Sequence, residues 1–546
     1  MATRYCGTVR NARLVAVFAV ALLVFALLRS SDYMMVDGAV RSIEVMRHPA
    51  LFFHGNNHLL YPAYILGWTR LLGAVGFDVT GSVDYIRSAQ LLNALAAAVT
   101  VTALCWLIRR AGASWALAVL GAAAFALSRA MLLHATNGAE PAVGLMWSAL
   151  AAVLVVQSVD RRSALLAAAG GAALALAMAS YQSMVLIGPG LLLYLWLATP
   201  RGARATSIAS LLGAAALATA IVYGWAYAHE GITTPGAMLG RFFRLDGAPS
   251  VYGGLRITKL PSLALGLAYG LVPVLPPTWL GWRALLAGEM GALDVVRVLL
   301  GVAIGVVCAG WLAWKAWRQG RAASQGARAA WIAGAVAMLA CLVPSSLWDT
   351  LYEKLWLQPI ALGVLGACAV LAIPGAVGRR TRLAVAVLVA AGAAVNLAAS
   401  VRARVAPHTC RQEAEAVARV LRPADLLVHE WDPVSFDFHV FVAGERVMFD
   451  LVSEARDRGA GAAQTLDYAK RATWERGGLV FYLGVFDLSR ERWDAFLGGR
   501  AGLPYDALAG SRARAKLVDT FNCRGARVTL WREVGPGGLE PPTNAL

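Results

Sequence analysis

The sequence predicts an all-α polytopic membrane protein, with eleven to thirteen transmembrane helices, that carries a small α/β domain near its C-terminal end. Three observations lead to this fold class. Of the 546 residues, 59% are hydrophobic and only 15% are charged, and the mean hydropathy is +0.60. The apolar residues form many runs of about 17–23 residues, the length that a helix needs to cross roughly 30 Å of hydrocarbon. Alanine and glycine dominate these runs, as suits close helix packing in lipid.

The basic residues set the membrane topology. A net charge of +17 would suit nucleic acid, but most of the Lys and Arg residues lie in short loops between apolar runs, where they indicate the cytoplasmic side. We therefore expect membrane lipids and no nucleic acid as partners. Arg4, Arg10 and Arg13 place the N-terminus in the cytoplasm, before a retained first helix over Leu14–Leu28.

The apolar segment Leu59–Leu72 is interpreted as an interfacial helix on the outer surface, because a span here would invert every later basic loop. Asp32–Arg87 then forms one long outer loop. The block Leu260–Met290 crosses twice or not at all, since its prolines favour a broken or re-entrant pair. The other predicted spans are Ala89–Ile108, Ser114–Leu133, Pro141–Val159, Ala164–Ser180, Met184–Leu197, Ile208–Tyr227, Val295–Trp314, Trp331–Leu347, Leu355–Ile373 and Ala384–Ala399.

The composition changes at about Val401, where charge density rises and apolar runs shorten. We expect residues 1–400 to form the membrane domain, residues 401–534 an extracytoplasmic α/β domain, and the Gly/Pro-rich residues 535–546 a disordered tail. Helices are predicted over Gln412–Leu421, Thr465–Arg476 and Arg490–Leu497, and strands over Asp425–His429, Arg446–Phe449, Gly478–Leu483, Lys516–Phe521 and Arg527–Trp531.

The seven cysteines include one pair with a predicted role. Cys410 and Cys523 bracket the C-terminal domain in a compartment that permits disulfides, so we expect them to pair. No CxxC motif or Cys/His cluster indicates a metal site. His54 and His58 are spaced i, i+4, so on a helix they could bind a divalent metal together. The two asparagines between them favour a turn instead. We expect no cofactor.

The stretch from Asp32 to Tyr64 gathers more titratable groups than any other non-basic loop before residue 400. Four stretches of the sequence carry a resemblance to a known family. They are Val36-Asp37-Gly38, the run from His58 to Pro62, the span between Arg87 and Arg110, and Asn137-Gly138-Ala139-Glu140-Pro141. Together they resemble the GT-C glycosyltransferases, which include the protein O-mannosyltransferases and the aminoarabinose transferase of lipid A. The chain departs from that group where Gly38 follows Asp37, because an acidic pair is usual there.

The resemblance implies that a sugar moves from a polyprenyl-phosphate donor to a lipid, glycan or protein acceptor on the outer face of a bacterial inner membrane. It implies inversion at the anomeric carbon, with a carboxylate as general base and a cation for the leaving phosphate. Asp37 is the base candidate and Glu140 a second catalytic carboxylate. Lys354 is the main phosphate candidate. The further substrate-binding candidates are Asp32, Asn57, His58, Tyr61, Tyr181, Gln182, Arg241 and Arg244.

Each main candidate also has a purely structural interpretation. Asp37 would cap a helix over Ala39–Met46, Glu140 would be an interfacial charge at a helix start, and Lys354 would be a snorkelling anchor. Two other functions stay open. A lipid or polysaccharide transporter or flippase would need charges near the midplane of its spans, where this sequence has few. A catalytically inactive GT-C-like scaffold would explain the missing second acid after Asp37.

Overall fold

The computed structural model describes most of the chain, and its longest gaps are at residues 30–40, 47–58, 244–259 and around 273–324. The described residues are 2–29, 41–43, 45–46, 59–229, 231–243, 260–272, 296, 303, 310, 314, 325–347, 353–373, 378–405, 410–430, 433–439, 447–451, 454, 461–493, 503–523 and 526–535.

Up to residue 405 the described chain is helical. Its α-helices are α1 Ala2–Leu27, α2 Tyr61–Ala74, α3 Ser82–Arg110, α4 Trp115–Ala126, α5 Arg129–Thr136, α6 Pro141–Arg161, α7 Ala164–Ser180, α8 Gly188–Ala198, α9 Arg201–His229, α10 Pro235–Phe243, α11 Leu260–Leu271, α12 Gln325–Leu347, α13 Leu357–Leu371 and α14 Arg379–Val405. Short 3₁₀ segments, Gln182–Ile187 and Glu353–Trp356, lead into α8 and α13.

Within the described residues, five segments are long and apolar enough to cross a membrane, or six if the bent pair α4–α5 counts as one span. The five are Ser82–Arg110, Pro141–Arg161, Arg201–His229, Lys354–Leu371 and Leu383–Arg402. Shorter apolar helices add to the bundle at Asn11–Leu27, Ala164–Ser180, Gln182–Ala198 and Arg328–Val343. The chain is thus a multi-pass membrane protein, and the total of eleven to thirteen spans stays a prediction because 273–324 is described at single positions only.

Burial separates central helices from peripheral ones. The apolar window of α3 and that of the Lys354–Leu371 span are each 61% buried within the protein, whereas the window in α14 is 6% buried. Small residues allow the close approach of the helices. A Cβ added at Gly171 of α7 would overlap the carbonyl oxygen of Leu211 in α9, so these two backbones are in direct contact.

Helix α2 lies against one end of the bundle. Leu60 donates its backbone N–H to the carbonyl of Ala179 at the end of α7 (2.9 Å), and Tyr61 and Ile65 pack on Ala89 of α3. The second half of α2 and the residues after it are exposed and apolar, including Leu71, Val75 and Phe77. A helix is thus present here, with bounds shifted by two residues from the predicted Leu59–Leu72, and its interfacial position stays a prediction.

The opposite end of the bundle is basic. Arg110 at the end of α3 forms an ion pair with Asp160 near the end of α6 (Nε–Oδ2 2.7 Å). The guanidinium groups of Arg13 and Arg109 lie over the ring of Trp115, and Arg204 lies over Trp196. We call this the Arg110 end and the end covered by α2 the Glu140 end.

The C-terminal part contains a five-stranded mixed sheet in the order β2-β1-β3-β5-β4. Its elements are α15 Arg411–Val420, β1 Leu426–His429, α16 Pro433–Asp437, β2 Val447–Asp450, α17 Gly461–Glu475, β3 Val480–Leu483, α18 Arg490–Trp493, α19 Ala509–Arg514, β4 Ala515–Cys523 and β5 Ala526–Glu533, with 3₁₀ segments at Val485–Asp487 and Tyr505–Leu508. Strands β1, β2 and β3 are parallel, and β5 runs antiparallel to β3 and β4.

Both faces of this sheet are covered. Val428 and Tyr482 belong to the core on one face, with Leu466 of α17, and Leu427 and Phe481 belong to the core on the other. The disulfide Cys410–Cys523 joins the residue before α15 to the end of β4, with Cα atoms 5.8 Å apart. The predicted disulfide and the predicted fold class are confirmed. The domain limits 401–534 stay a prediction.

Three predicted spans differ from the structure, and one of them, Leu355–Ile373, begins within the 3₁₀ segment Glu353–Trp356. Ser114–Leu133 is not one helix but two, α4 and α5, bent by 65°, because the Ser128 hydroxyl caps α5 by accepting the N–H of Met131 (3.3 Å). The span predicted over Met184–Leu197 begins as a 3₁₀ segment, since Pro189 has no N–H with which to extend a regular helix upstream.

Candidate active site at the Glu140 end

The centre of the candidate site is the loop between α5 and α6. This loop, Asn137–Glu140, ends where Pro141 occupies the first turn of α6, a position that suits proline because no intrahelical donor is needed there. Glu140 stands at the N-cap position, yet its carboxylate makes no capping hydrogen bond to α6. The side chain is fully buried, so Glu140 stands at a helix start, as the structural interpretation expects, but does not face solvent.

The amide of Asn93 in α3 holds this loop. Its Nδ2 donates to the carbonyl oxygens of Asn137 (2.9 Å) and Ala139, and lies 3.3 Å from that of His134. Asn93 is fully buried. A carboxamide in the middle of an apolar helix is costly unless it is hydrogen-bonded, and here it replaces the hydrogen bonds that the loop backbone lacks.

Tyr61, the first residue of α2, closes the loop from the other side. Its hydroxyl donates to the carbonyl of Gly138 (2.6 Å) and lies 3.2 Å from Oδ1 of Asn93. Gly138 also packs closely on α3, since a Cβ there would lie 3.3 Å from the Cβ of Ala89. Burial, and then the charge of Glu140, raise the pKa of Tyr61 well above its usual value, so the hydroxyl keeps its proton and remains a donor.

Lys354 brings a positive charge to the loop from a distant part of the chain. Its Nζ lies 3.6 Å from Oε2 of Glu140, and the side chains are 4% and 0% exposed. Two opposite charges removed from water at this distance compensate part of each other's desolvation cost. The burial of Lys354 excludes the snorkelling anchor of the structural interpretation.

The segment that carries Lys354 is fixed by Gln358, one turn further along. Its Nε2 donates to the carbonyl of Met184 (2.8 Å) and lies 3.2 Å from Oγ of Ser148. Ser148 of α6 also donates to the Met184 carbonyl (2.8 Å). The start of α13, the middle of α6 and the 3₁₀ segment before α8 are therefore linked by one buried hydrogen-bond network.

Tyr181 lies beside this network, and Gln182 lies further from it. A Cβ added at Gly144, one turn after Glu140, would be 3.0 Å from the Cβ of Tyr181, which is 8% exposed. Gln182 instead shares a side-chain hydrogen bond with Tyr223 of α9. Among the predicted site residues, the structure thus brings together Glu140, Lys354 and Tyr61, with Tyr181 adjacent.

The remaining predicted residues are not placed. Asp32, Asp37, Asn57, His58 and Arg244 lie outside the described residues, and Arg241 lies in α10 without a described side chain. Within the described part of the chain, no group of three or more His, Cys, Asp or Glu side chains has a metal-binding arrangement.

Asn93 and Gln358 were not among the residues predicted from the sequence. A signal for both is present, because each is an amide within an apolar run, in LLNALAAAV and WLQPIAL. Buried amides in membrane helices are expensive and mark packing or functional sites.

Comparison with solved structures shows the fold. The archaeal oligosaccharyltransferase AglB from Archaeoglobus fulgidus, in complex with an inhibitory peptide and a dolichol-phosphate, matches with a TM-score of 0.52 at 13% identity, covering 95% of this chain and 74% of that one. ArnT from Cupriavidus metallidurans, bound to undecaprenyl phosphate, matches with a TM-score of 0.45 at 15% identity, covering 97% and 100%. The Pmt1-Pmt2 protein O-mannosyltransferase complex of S. cerevisiae, bound to the sugar donor, gives 0.32 at 17% identity over 46% and 37%.

The chain therefore has the GT-C fold of membrane glycosyltransferases, and the predicted resemblance is confirmed. No protein-family model matches the sequence, and no curated protein matches it either.

Proposed function

We propose that the protein is a membrane glycosyltransferase that transfers a sugar from a polyprenyl-phosphate donor to an acceptor at the Glu140 end. The observation that carries this proposal is the buried pair of Glu140 and Lys354 on a GT-C fold. The matched AglB structure contains a dolichol-phosphate and a peptide, which supports a lipid phosphate as the donor here.

In the proposed reaction, an acceptor O–H or N–H attacks the anomeric carbon of the sugar. The bond between that carbon and the phosphate oxygen breaks, and its electron pair stays on the polyprenyl phosphate. The acceptor proton passes to a carboxylate acting as general base. Attack opposite the leaving group inverts the anomeric configuration.

Lys354 is the proposed partner of the phosphate. An ammonium group with little water around it interacts strongly with an anion, and the leaving phosphate gains negative charge as the bond breaks. Lys354 lies next to Glu140 before the donor binds, so the phosphate competes with this carboxylate for the lysine.

Asp37 remains the proposed general base, and Glu140 is the proposed second carboxylate of the site. The sequence predicts that both carboxylates lie in loops on the same, outer face of the membrane. The loop that carries Glu140 is held in place by Asn93 and Tyr61. The acceptor class, whether lipid, glycan or protein, and the identity of the hexose are open in this proposal.

We further propose that the Glu140 end and the C-terminal sheet lie on the extracytoplasmic side of a bacterial inner membrane. The concentration of arginines at the Arg110 end supports this orientation through the positive-inside rule. The Cys410–Cys523 bond supports an oxidising compartment for the sheet.

The test measures transfer of radiolabelled sugar from polyprenyl phosphate in vesicles from a deletion strain complemented with each variant. Asp37→Asn should lower transfer by about 10²–10⁴-fold, the range for a positioned acid–base group, at unchanged donor binding. Lys354→Ala should mainly weaken binding of undecaprenyl phosphate. Lys516→Ala, which removes an exposed lysine of β4, is the matched control.

Three results would contradict the proposal. Wild-type transfer by Asp37→Asn would remove Asp37 as the base, and unchanged phosphate binding by Lys354→Ala would remove the lysine as the phosphate partner. Movement of intact labelled lipid across the membrane without sugar transfer would favour a flippase.

A further inference from the structure

A small pocket lies in the C-terminal domain, directly after β3. Its volume is about 300 Å³ and it is open to solvent on one side. It is formed by the 3₁₀ segment that follows β3, by α18, by the 3₁₀ segment Tyr505–Leu508 and by α19. A volume at the lower end of the range for ligand sites suits one monosaccharide-sized group rather than a lipid chain.

The floor of the pocket is apolar and rigid. Phe486, Trp493 and Leu508 are 7%, 2% and 5% exposed. The indole N–H of Trp493 donates to the carbonyl of Leu503 (2.9 Å), so it needs no partner from a ligand. Tyr505 packs against the edge of Trp493 with ring centroids 5.7 Å apart. The guanidinium of Arg512 lies over the ring of Phe486 (5.9 Å to the centroid), and that of Arg490 lies over the ring of Tyr505 (5.3 Å). A ligand therefore meets the carbon of this floor beside two guanidinium groups.

The rim is polar and carries both charges. Arg512 donates to the hydroxyl of Tyr505 (2.5 Å) and to the carbonyl of Phe486 (3.3 Å), which uses two of the five N–H donors of a guanidinium. Asp506 is held by Arg490 at 2.6 Å. Hydrogen-bond donors and acceptors therefore stand side by side around the opening.

This charge balance selects the kind of ligand. An anion would gain from Arg512 but meet the carboxylate of Asp506 at the same rim, and a cation would meet two guanidinium groups. A neutral molecule with several hydroxyls uses both, since each hydroxyl donates to a carboxylate or accepts from a guanidinium. A pyranose ring has such hydroxyls on its edge and C–H groups on its faces, which match the apolar floor.

The position of the pocket in the sheet is a further argument. The pocket begins at Val485, two residues after the carboxyl end of β3. Open α/β sheets bind their ligands outside the carboxyl ends of their strands.

We propose that this pocket binds a neutral pyranose unit of a glycan, held against the apolar floor of the pocket and hydrogen-bonded by Asp506 and Arg512. This inference does not depend on the proposed transferase activity, because it concerns a separate binding site. It gives the C-terminal domain a role in holding a saccharide.

The experiment is saturation-transfer difference NMR on the full-length protein in nanodiscs, with methyl hexopyranosides and N-acetylglucosamine as probes. We expect transfer to the ring C–H protons of at least one probe. Asp506→Asn and Arg512→Gln should each weaken binding by roughly tenfold or more, because hydrogen bonds to charged groups are the stronger class. Arg411→Gln and Glu415→Gln, which break an exposed ion pair on α15, should leave binding unchanged.

Ala509→Trp supplies a second test that removes no hydrogen-bonding group. Ala509 is exposed and lines the pocket, so the indole should fill the pocket and abolish binding while the melting temperature is retained. Absence of any saccharide signal with the wild-type protein would overturn the proposal. So would equal signals from wild type, Asp506→Asn and Arg512→Gln, or a preference for anionic lipid vesicles over neutral sugars.

Discussion

At the scale of single residues, the Glu140–Lys354 pair shows how a buried charge both stabilises and constrains a site. A lysine that is 4% exposed requires a nearby negative charge, because desolvation of an isolated ammonium group is very unfavourable. Glu140 supplies such a charge before any donor is bound. A phosphate that takes this lysine must then replace a favourable interaction as well as form a new one.

Glu140→Gln should therefore tighten the binding of undecaprenyl phosphate, by about three- to tenfold, while sugar transfer falls. The amide keeps the shape of the side chain but no longer competes for Lys354. Binding is measured as the stabilisation of the purified protein against heat by the lipid phosphate. In the control, the double variant Glu140→Gln with Lys354→Ala should bind the lipid phosphate no more tightly than Lys354→Ala alone. Weaker binding by Glu140→Gln would contradict the prediction, because it would mean that the carboxylate contacts the donor favourably.

His429 gives the C-terminal sheet a pH dependence. Burial lowers the pKa of this histidine from 6.5 to about 4, although Asp450, its register partner on β2, acts in the opposite direction. Because the folded pKa lies below the unfolded one, the neutral form stabilises the fold above pH 6.5. This stability is lost as the pH falls from 6.5 to about 4.

We expect the free energy of unfolding of this sheet to fall over that range, because the unfolded chain takes up a proton on His429 that the folded chain does not. Hydrogen exchange of β1 and β3 in the intact protein measures the change. His429→Gln should flatten the profile between pH 6.5 and 4. An unchanged profile in that variant would assign the pH dependence to other groups.

At the scale of secondary-structure elements, close glycine contacts decide which helices are neighbours. Gly171 of α7 abuts the backbone of α9, whereas Gly213 of α9 has nothing within 4 Å of an added Cβ. The two glycines look alike in the sequence, since each lies in an Ala/Leu-rich helix.

Gly171→Ala should lower the thermal stability of the detergent-solubilised protein and the yield of folded protein. Gly213→Ala should leave stability unchanged or raise it by up to about 1 kcal/mol through helix propensity. The pair is compared by fluorescence-detected size-exclusion chromatography after heating. Equal behaviour would mean that α7 and α9 can separate without cost.

Sequence patterns predicted the helices and strands better than the contacts between them. The bounds of α7 match the prediction Ala164–Ser180, because Ser163 caps the helix and its apolar run is uninterrupted. The bend at Ser128 was missed, since a single serine does not interrupt an apolar run. The approach of Lys354 to Glu140, and the roles of Asn93 and Gln358, depend on packing between helices far apart in the chain, which periodicity does not encode.

At the scale of the whole molecule, the concentration of arginines at the Arg110 end predicts the orientation of the protein in the membrane, with this end in the cytoplasm. A single cysteine at Arg109 should resist an impermeant thiol reagent in intact cells and react only after the membrane is opened. A cysteine at Gly81, in the exposed turn before α3, should react in intact cells. Labelling of the Arg109 position in intact cells would reverse the assignment of both ends.

The strand order of the C-terminal sheet also constrains how the protein is made. β5, residues 526–533, is inserted between β3 and β4 and so occupies an interior position, although it is the last of the described strands along the chain. The sheet therefore cannot close while residue 533 is still inside the ribosome. Strands β1, β2 and β3 can already pair with one another at that stage, whereas β4 has its only described partner in β5 and stays unpaired until β5 emerges. An unpaired strand exposed during synthesis is prone to aggregation, so we expect this stage of biogenesis to depend on chaperones.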